Sequence, residues 1–193
     1  MKESKFPLIC GHLSIDLVNT EVVRRGNRLD LLPTETDIYD WLYAVQTQIP
    51  FWINFSQDIE QHLPAIKKSL INMRNELRLH FESIAEQHII PTSLIHYLET
   101  FIEQAPFTYK LQNGQLTRIP LGTLPSMLQA IIAFDALTLI ANGQMQLLKR
   151  CANSDCVLLF IDEGGRRKWC SMKICGNRKK VAQFQQRKTE ELP

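Results

Sequence analysis

Four of the five cysteines in this chain fall in its last quarter as two matched pairs, Cys151-x4-Cys156 and Cys170-x4-Cys175, with thirteen residues between the pairs. A structural Zn²⁺ asks for four soft ligands in a tetrahedron, and two close pairs let a short segment supply all four without a large core of its own. Two disulfides are the competing use of four thiols. The chain opens Met1-Lys2-Glu3-Ser4-Lys5-Phe6-Pro7 with no apolar export segment, so the cytoplasm is the expected compartment and one structural Zn²⁺ the expected cofactor. Cys10 stands alone and reads as an ordinary buried or partly buried thiol.

The residues around the pairs suggest how such a lobe is built. Val157-Leu158-Leu159-Phe160-Ile161 is a β-prone run, Asp162-Glu163-Gly164-Gly165 is turn chemistry, and Arg166-Arg167-Lys168-Trp169 reads as a returning strand, so a hairpin is expected between the pairs. After Gly176 no breaker follows, and Val181, Phe184 and Lys188 stand at helical spacing, which predicts a terminal helix. Cysteine pair, hairpin, cysteine pair and helix make a treble-clef-like order.

These segments closely resemble the CGNR zinc finger. The likeness rests on Arg150-Cys151-Ala152-Asn153-Ser154-Asp155-Cys156, Leu159-Phe160-Ile161-Asp162, Trp169-Cys170-Ser171-Met172 and Cys175-Gly176-Asn177-Arg178-Lys179-Lys180. Upstream, Gly11-His12-Leu13-Ser14-Ile15-Asp16-Leu17-Val18-Asn19-Thr20 is similar to the opening of the ABATE domain, which accompanies this finger in bacterial proteins described as stress-induced transcription regulators. The resemblance implies a DNA-binding regulator whose amino-terminal part answers some signal. Two departures from the family pattern are visible: the turn at Asp162–Gly165 is short, and Lys168 stands where an arginine is common.

The rest of the chain reads as mainly α with one β-hairpin, giving residues 1–143 as a helical domain and 144–193 as the finger. Leu13, Leu17, Val18 and Val22 share a helical face that runs until Gly26, and a second short helix follows a capping residue at Thr36. From Gln61 to Gln87 a stripe of Leu63, Ile66, Leu70, Met73, Leu77, Phe81 and Ile84 recurs at spacings of three and four, with Pro64 tolerable only in the first turn. Thr92 to Gln104 is a further helix, and Phe107 to Ile119 alternates about Asn113-Gly114, the preferred two-residue hairpin turn. Thr123 to Ala141 is almost wholly apolar and reads as the central helix, ended by Asn142-Gly143. Ser126, Gln129 and Asp135 interrupt it, which argues against a membrane span.

Charge is unevenly placed. Residues 1–145 hold 11 Lys and Arg against 15 Asp and Glu, whereas 146–193 hold 11 against 5, a net +6. Phosphate is the natural counter-charge for such a face on a rigid metal core, so the reading assigns Arg166, Arg167, Lys168, Arg178, Lys179, Lys180, Arg187 and Lys188 to nucleic acid, most of them to the backbone. The other reading is an adaptor whose finger docks an acidic protein partner. A single finger is a small footprint, so specific recognition asks for a homodimer or another partner.

His12, Asp16 and Asn19 lie at helical spacing amid Leu13, Ile15, Leu17 and Val18. They either line a pocket for an unidentified small-molecule signal or tie down buried backbone, and the second use is the commoner for buried Asp and Asn. Catalysis is not expected. Four thiolates close a zinc shell, the five histidines are scattered, and the chain has no phosphate loop, serine elbow or dinucleotide turn.

Overall fold

The structure is a computed structural model that describes residues 5–52, 59–112 and 114–176. Helix α1, Leu13–Val18, has all six residues buried. So short a helix is marginal alone, and its stability comes from packing against two longer helices, Leu63–Gln87 and Leu124–Ala141. Helix α2, Glu35–Ala44, starts at Thr34, whose Oγ1 accepts from the Asp37 amide at 3.2 Å while Asp37 Oδ2 accepts from the Thr34 amide at 3.0 Å. That reciprocal capping box places the start two residues before the expected Thr36.

Helix α3, Leu63–Gln87, carries Pro64 in its first turn and buries every residue of the apolar stripe read from the sequence. It is followed by α4, Thr92–Gln104, and by an antiparallel hairpin of β3, Phe107–Gln112, and β4, Gln115–Pro120. Helix α5, Leu124–Ala141, is long and apolar enough to cross a membrane. Here its apolar surface is spent on the core: nine of its residues are buried, and α1, α3 and α4 all pack on it. Its three polar interruptions are also accounted for. Ser126 sits in the Thr123 cap, Gln129 donates to the Ser69 carbonyl at 3.4 Å, and Asp135 accepts from the amide and hydroxyl of Ser14.

Two expectations are corrected. The first is the helical face running to Val22. The helix stops at Val18, Thr20 folds back onto the Leu17 carbonyl through both its amide and its hydroxyl, and a hairpin follows from β1, Glu21–Arg24, to β2, Asn27–Asp30. Its turn residues Arg25 and Gly26 both have positive φ, 52° and 79°, the requirement of the hairpin turn whose twist matches the strands. The hairpin is then bolted to α3: Asp30 takes a two-pronged bond from Arg74 at 2.6 and 2.8 Å, and Glu21 meets the Arg78 guanidinium.

The second correction lies in the finger. Strand β6, Leu159–Ile161, pairs antiparallel with β5, Leu148–Arg150, which precedes the first cysteine, and not with Arg166–Trp169. Asp162 supplies the reason. Its carbonyl accepts from Gly165 N and its carboxylate accepts from Arg167 N, so the chain curls back on itself before it can run beside β6. The first cysteine pair therefore sits at the tip of the β5–β6 hairpin. Leu148 and Leu159 belong to the same apolar cluster as the helices, so the finger's strands are mounted on the helical body.

Candidate metal centre and basic face

Each pair of cysteines is held by its own local device. Between Cys151 and Cys156 the chain makes a tight knuckle: Cys151 N donates to Leu158 O at 3.0 Å, Cys156 N donates to Asn153 O at 3.0 Å, and Asp155 N donates to Asn153 Oδ1 at 3.1 Å. The second pair ends on a single π-helical turn, Met172–Gly176, opened by Ser171, whose hydroxyl accepts from Ile174 N at 2.9 Å and whose carbonyl accepts from both Cys175 N and Gly176 N. One hydrogen bond, Ala152 N to Lys168 O at 2.9 Å, ties the knuckle to the strand-like approach of the second pair.

These devices bring the four sulfurs together. All lie within 4.8 Å of one another and all four cysteines are buried. A tetrahedral ion with Zn–S near ~2.3 Å separates its sulfurs by ~3.8 Å, and Cys156 Sγ lies 3.9 Å from Cys170 Sγ. The cysteines are positioned to bind one metal ion. Leu158 and Phe160 are buried with them, and Ile9, Val22, Trp169 and Ile174 pack around the outside, so the sulfurs sit in a dry shell.

The electrostatics of the cluster suit a cation. Cys151 is held well below the ordinary thiol range because Cys156 and then Cys170 donate hydrogens to it, and Cys156 is correspondingly pushed up to about 12. Cys170 is also raised, by donating to Cys151 and Cys156. One thiolate with two thiols leaning on it is the best such a cluster can do alone, and a divalent ion relieves the crowding by displacing the protons. Two further donors reach the sulfurs: Cys170 N at 3.4 Å from Cys151 Sγ, and Asn153 Nδ2 at 3.6 Å from Cys175 Sγ. Asn153 was not singled out from the sequence, where it stood only within the run that resembles the CGNR finger. Replacing it by alanine removes both the Nδ2 donor and the Oδ1 that accepts from Asp155 N, keeping only the backbone bond to Cys156, and about a 10- to 100-fold loss of zinc affinity is expected in a chelator competition titration.

The site defines a metal-binding finger built from four thiolates. Residues 148–188 match the CGNR zinc finger family, about one fifth of the chain. No curated protein matches the sequence.

The cations expected to contact nucleic acid fall into three groups. Arg166 and Lys168 are exposed on the finger, with Trp169 half-buried between them and the metal core, and together with Met172 they line a cleft of about 360 Å³. Arg167 points inward. Its guanidinium lies 4.3 Å from the Phe160 ring centre and donates to the carbonyls of Trp169 and Cys170, which spends it on holding the second pair in place. Lys149 is likewise paired, 2.7 Å from the buried Asp162, whose carboxyl is held below its usual range chiefly by that bond. Arg178, Lys179, Lys180, Arg187 and Lys188, with the terminal helix expected to carry them, lie outside the described residues.

The trio on and flanking α1 is also placed, with His12 and Asn19 at its two caps and Asp16 within it. Asn19 is fully buried and clamps β6 with both ends of its amide: Nδ2 donates to Leu159 O and Oδ1 accepts from Leu159 N, each at 2.9 Å. Asp16 accepts from the Cys10 amide, and burial pushes its carboxyl up to about 6. His12 sits 3.3 Å from Asp135, whose bond raises the imidazole above its usual range. Cys10 is partly buried, donates to the Leu159 carbonyl and is pushed up to about 12 by burial. One further residue seats the finger and escaped the sequence reading. Arg78 reaches from α3 to the carbonyls of Val18 and Val157 and to the carboxylates of Glu21 and Glu82. Its only signal was its place four residues after Arg74 on the border of the apolar stripe.

Proposed function

We propose that the finger is a zinc-organised nucleic-acid-binding module of a DNA-binding transcription regulator, and that the helical body of residues 1–143, with its likeness to the ABATE domain, senses a signal or dimerises. The observation that carries this reading is the exposed pair Arg166 and Lys168, with Arg150 also exposed, on a frame whose shape is set by the four-cysteine site. A closed tetrathiolate leaves the ion no position for a substrate, so its role is structural. Arg166 and Lys168 suit backbone phosphate, and Trp169 beside them offers an aromatic face for a base or sugar. The net +6 of residues 146–193 supplies the long-range attraction.

Fluorescence anisotropy with a random duplex, titrated at a series of salt concentrations, tests the reading. Binding is expected to weaken along a log–log slope of about −4 to −6, as five or six phosphate contacts require. The double variant Arg166→Glu/Lys168→Glu is expected to flatten that slope by about 2 and to weaken binding at every sequence tried, with zinc content unchanged. No retained duplex at low salt would instead favour a finger that docks an acidic protein.

A further inference from the structure

On the side of the body formed by α1, α5 and the β3–β4 hairpin there is a cleft of about 260 Å³. Its floor is apolar, made by Leu13, Ile131 and Phe134, with Phe107 on the hairpin wall. Two charged side chains face it, Arg118 from β4 and Asp135 from α5. They are used very differently by the fold. Asp135 is satisfied: it accepts from Ser14 N at 2.9 Å and Ser14 Oγ at 2.5 Å, and its other oxygen lies 3.3 Å from His12. Arg118 is not. Its guanidinium carbon lies 3.4 Å from the centre of the Phe134 ring and 5.1 Å from that of Phe107, two rings that meet edge to face at 5.5 Å. Among the described residues it has no carboxylate or carbonyl partner.

A guanidinium laid flat on an aromatic face is fixed in place, and its N–H donors then point sideways, in the plane of the fork. That fork matches the two oxygens of a carboxylate. A half-buried cation without a counter-ion among the described residues, at the edge of a small apolar recess, is complementary to a ligand with one anionic head and an apolar body. The satisfied carboxylate of Asp135 on the same wall opposes added negative charge, so a monoanion is accepted more readily than a phosphate-like dianion. The volume of about 260 Å³ lies just under the usual lower end of ~300 Å³ for ligand sites and suits a small, metabolite-sized molecule. We propose that this cleft is a binding site for a small organic monocarboxylate with an apolar body, gripped by the Arg118 fork over Phe134. This assignment stands whether or not the finger binds nucleic acid.

The test uses the zinc-loaded full chain with benzoate as the probe, and benzyl alcohol and benzylamine as neutral and cationic counterparts of similar shape. Saturation-transfer NMR and isothermal calorimetry are expected to show saturable benzoate binding, with the alcohol weaker by about tenfold or more and the amine without measurable affinity. Arg118→Gln removes the charged fork and is expected to bring benzoate down to the level of the alcohol. Thr138→Met narrows the cleft from the half-exposed face of α5, leaves the guanidinium in place, and is expected to abolish binding of both. Absence of saturable benzoate binding at ~10 mM, equal affinity for acid and alcohol, or benzoate binding that survives Thr138→Met would each overturn the assignment.

Discussion

Removing the metal is expected to destabilise the whole protein and not only the finger. Structural zinc contributes on the order of 10 kcal/mol of apparent binding free energy in isolated fingers. Here β5 and β6 are built into the main core through Leu148 and Leu159, so loss of the four-sulfur clamp uncovers part of the body's own interior. A strong chelator, or Cys170→Ser at the fully buried ligand, is expected to lower the melting temperature by about 10 °C or more, since about 1 kcal/mol corresponds to a few degrees in a chain of this size. A melt that stays unchanged after complete loss of zinc would mean that the clamp and the core are independent. Acid should act in the same direction. Cys156 and Cys170 are raised above the ordinary thiol value and carry protons that the ion must displace, so the stabilising effect of zinc is full at alkaline pH and is lost as pH falls, by about tenfold or more in affinity per pH unit.

Arg78→Met should be the costliest single change at a charged side chain outside the metal centre. The side chain is 4% exposed and bridges α1, β1, α3 and the knuckle of the finger. Burial alone lowers its pKa, but the carboxylates of Glu21 and Glu82 keep the guanidinium charged. Methionine fills similar volume but leaves the carbonyls of Val18 and Val157 without their side-chain donor, while Glu21 loses its nearest cation and keeps the longer 3.9 Å contacts with Arg28 and Arg74. About 2–4 kcal/mol of destabilisation is expected in urea unfolding, because buried carbonyls lose their donor and a partly buried carboxylate loses its nearest cation. Lysine should rescue little of it, since a single ammonium cannot serve carbonyls and carboxylates on several sides at once. The double variant with Glu21→Met should recover part of the loss, and the size of that recovery measures the pair directly.

The long helices were the most legible part of the sequence. In α3 burial follows a period of 3.6 over 25 residues, so the stripe from Leu63 to Ile84 could be read residue by residue. Asn113-Gly114 likewise announced the β3–β4 hairpin, because few dipeptides tolerate that turn. The β1–β2 hairpin was hidden by an Arg-Gly turn, which carries no such signal, and by Val22, which continued the helical spacing of α1 by accident. In the finger, metal chemistry made the cysteines plain, yet strand pairing depended on a side chain of Asp162 capturing a backbone amide, and no periodicity records that. Leu148-Lys149-Arg150 is too short a run to identify itself as a strand. Arg167 shows the same limit for the candidate site: composition counts it as a surface cation, whereas packing against Phe160 turns it inward.

The amide clamp between Asn19 and Leu159 joins positions 140 residues apart. During synthesis the first helix is therefore made long before the strand that satisfies the asparagine capping its end leaves the ribosome, and the buried amide must wait in water until then. Ordering of this corner is a late event, dependent on a distant partner whose own shape depends on the ion. Cells starved of zinc should accordingly accumulate chains that are fully made but unfinished at the amino-terminal end, the opposite end from the metal ligands.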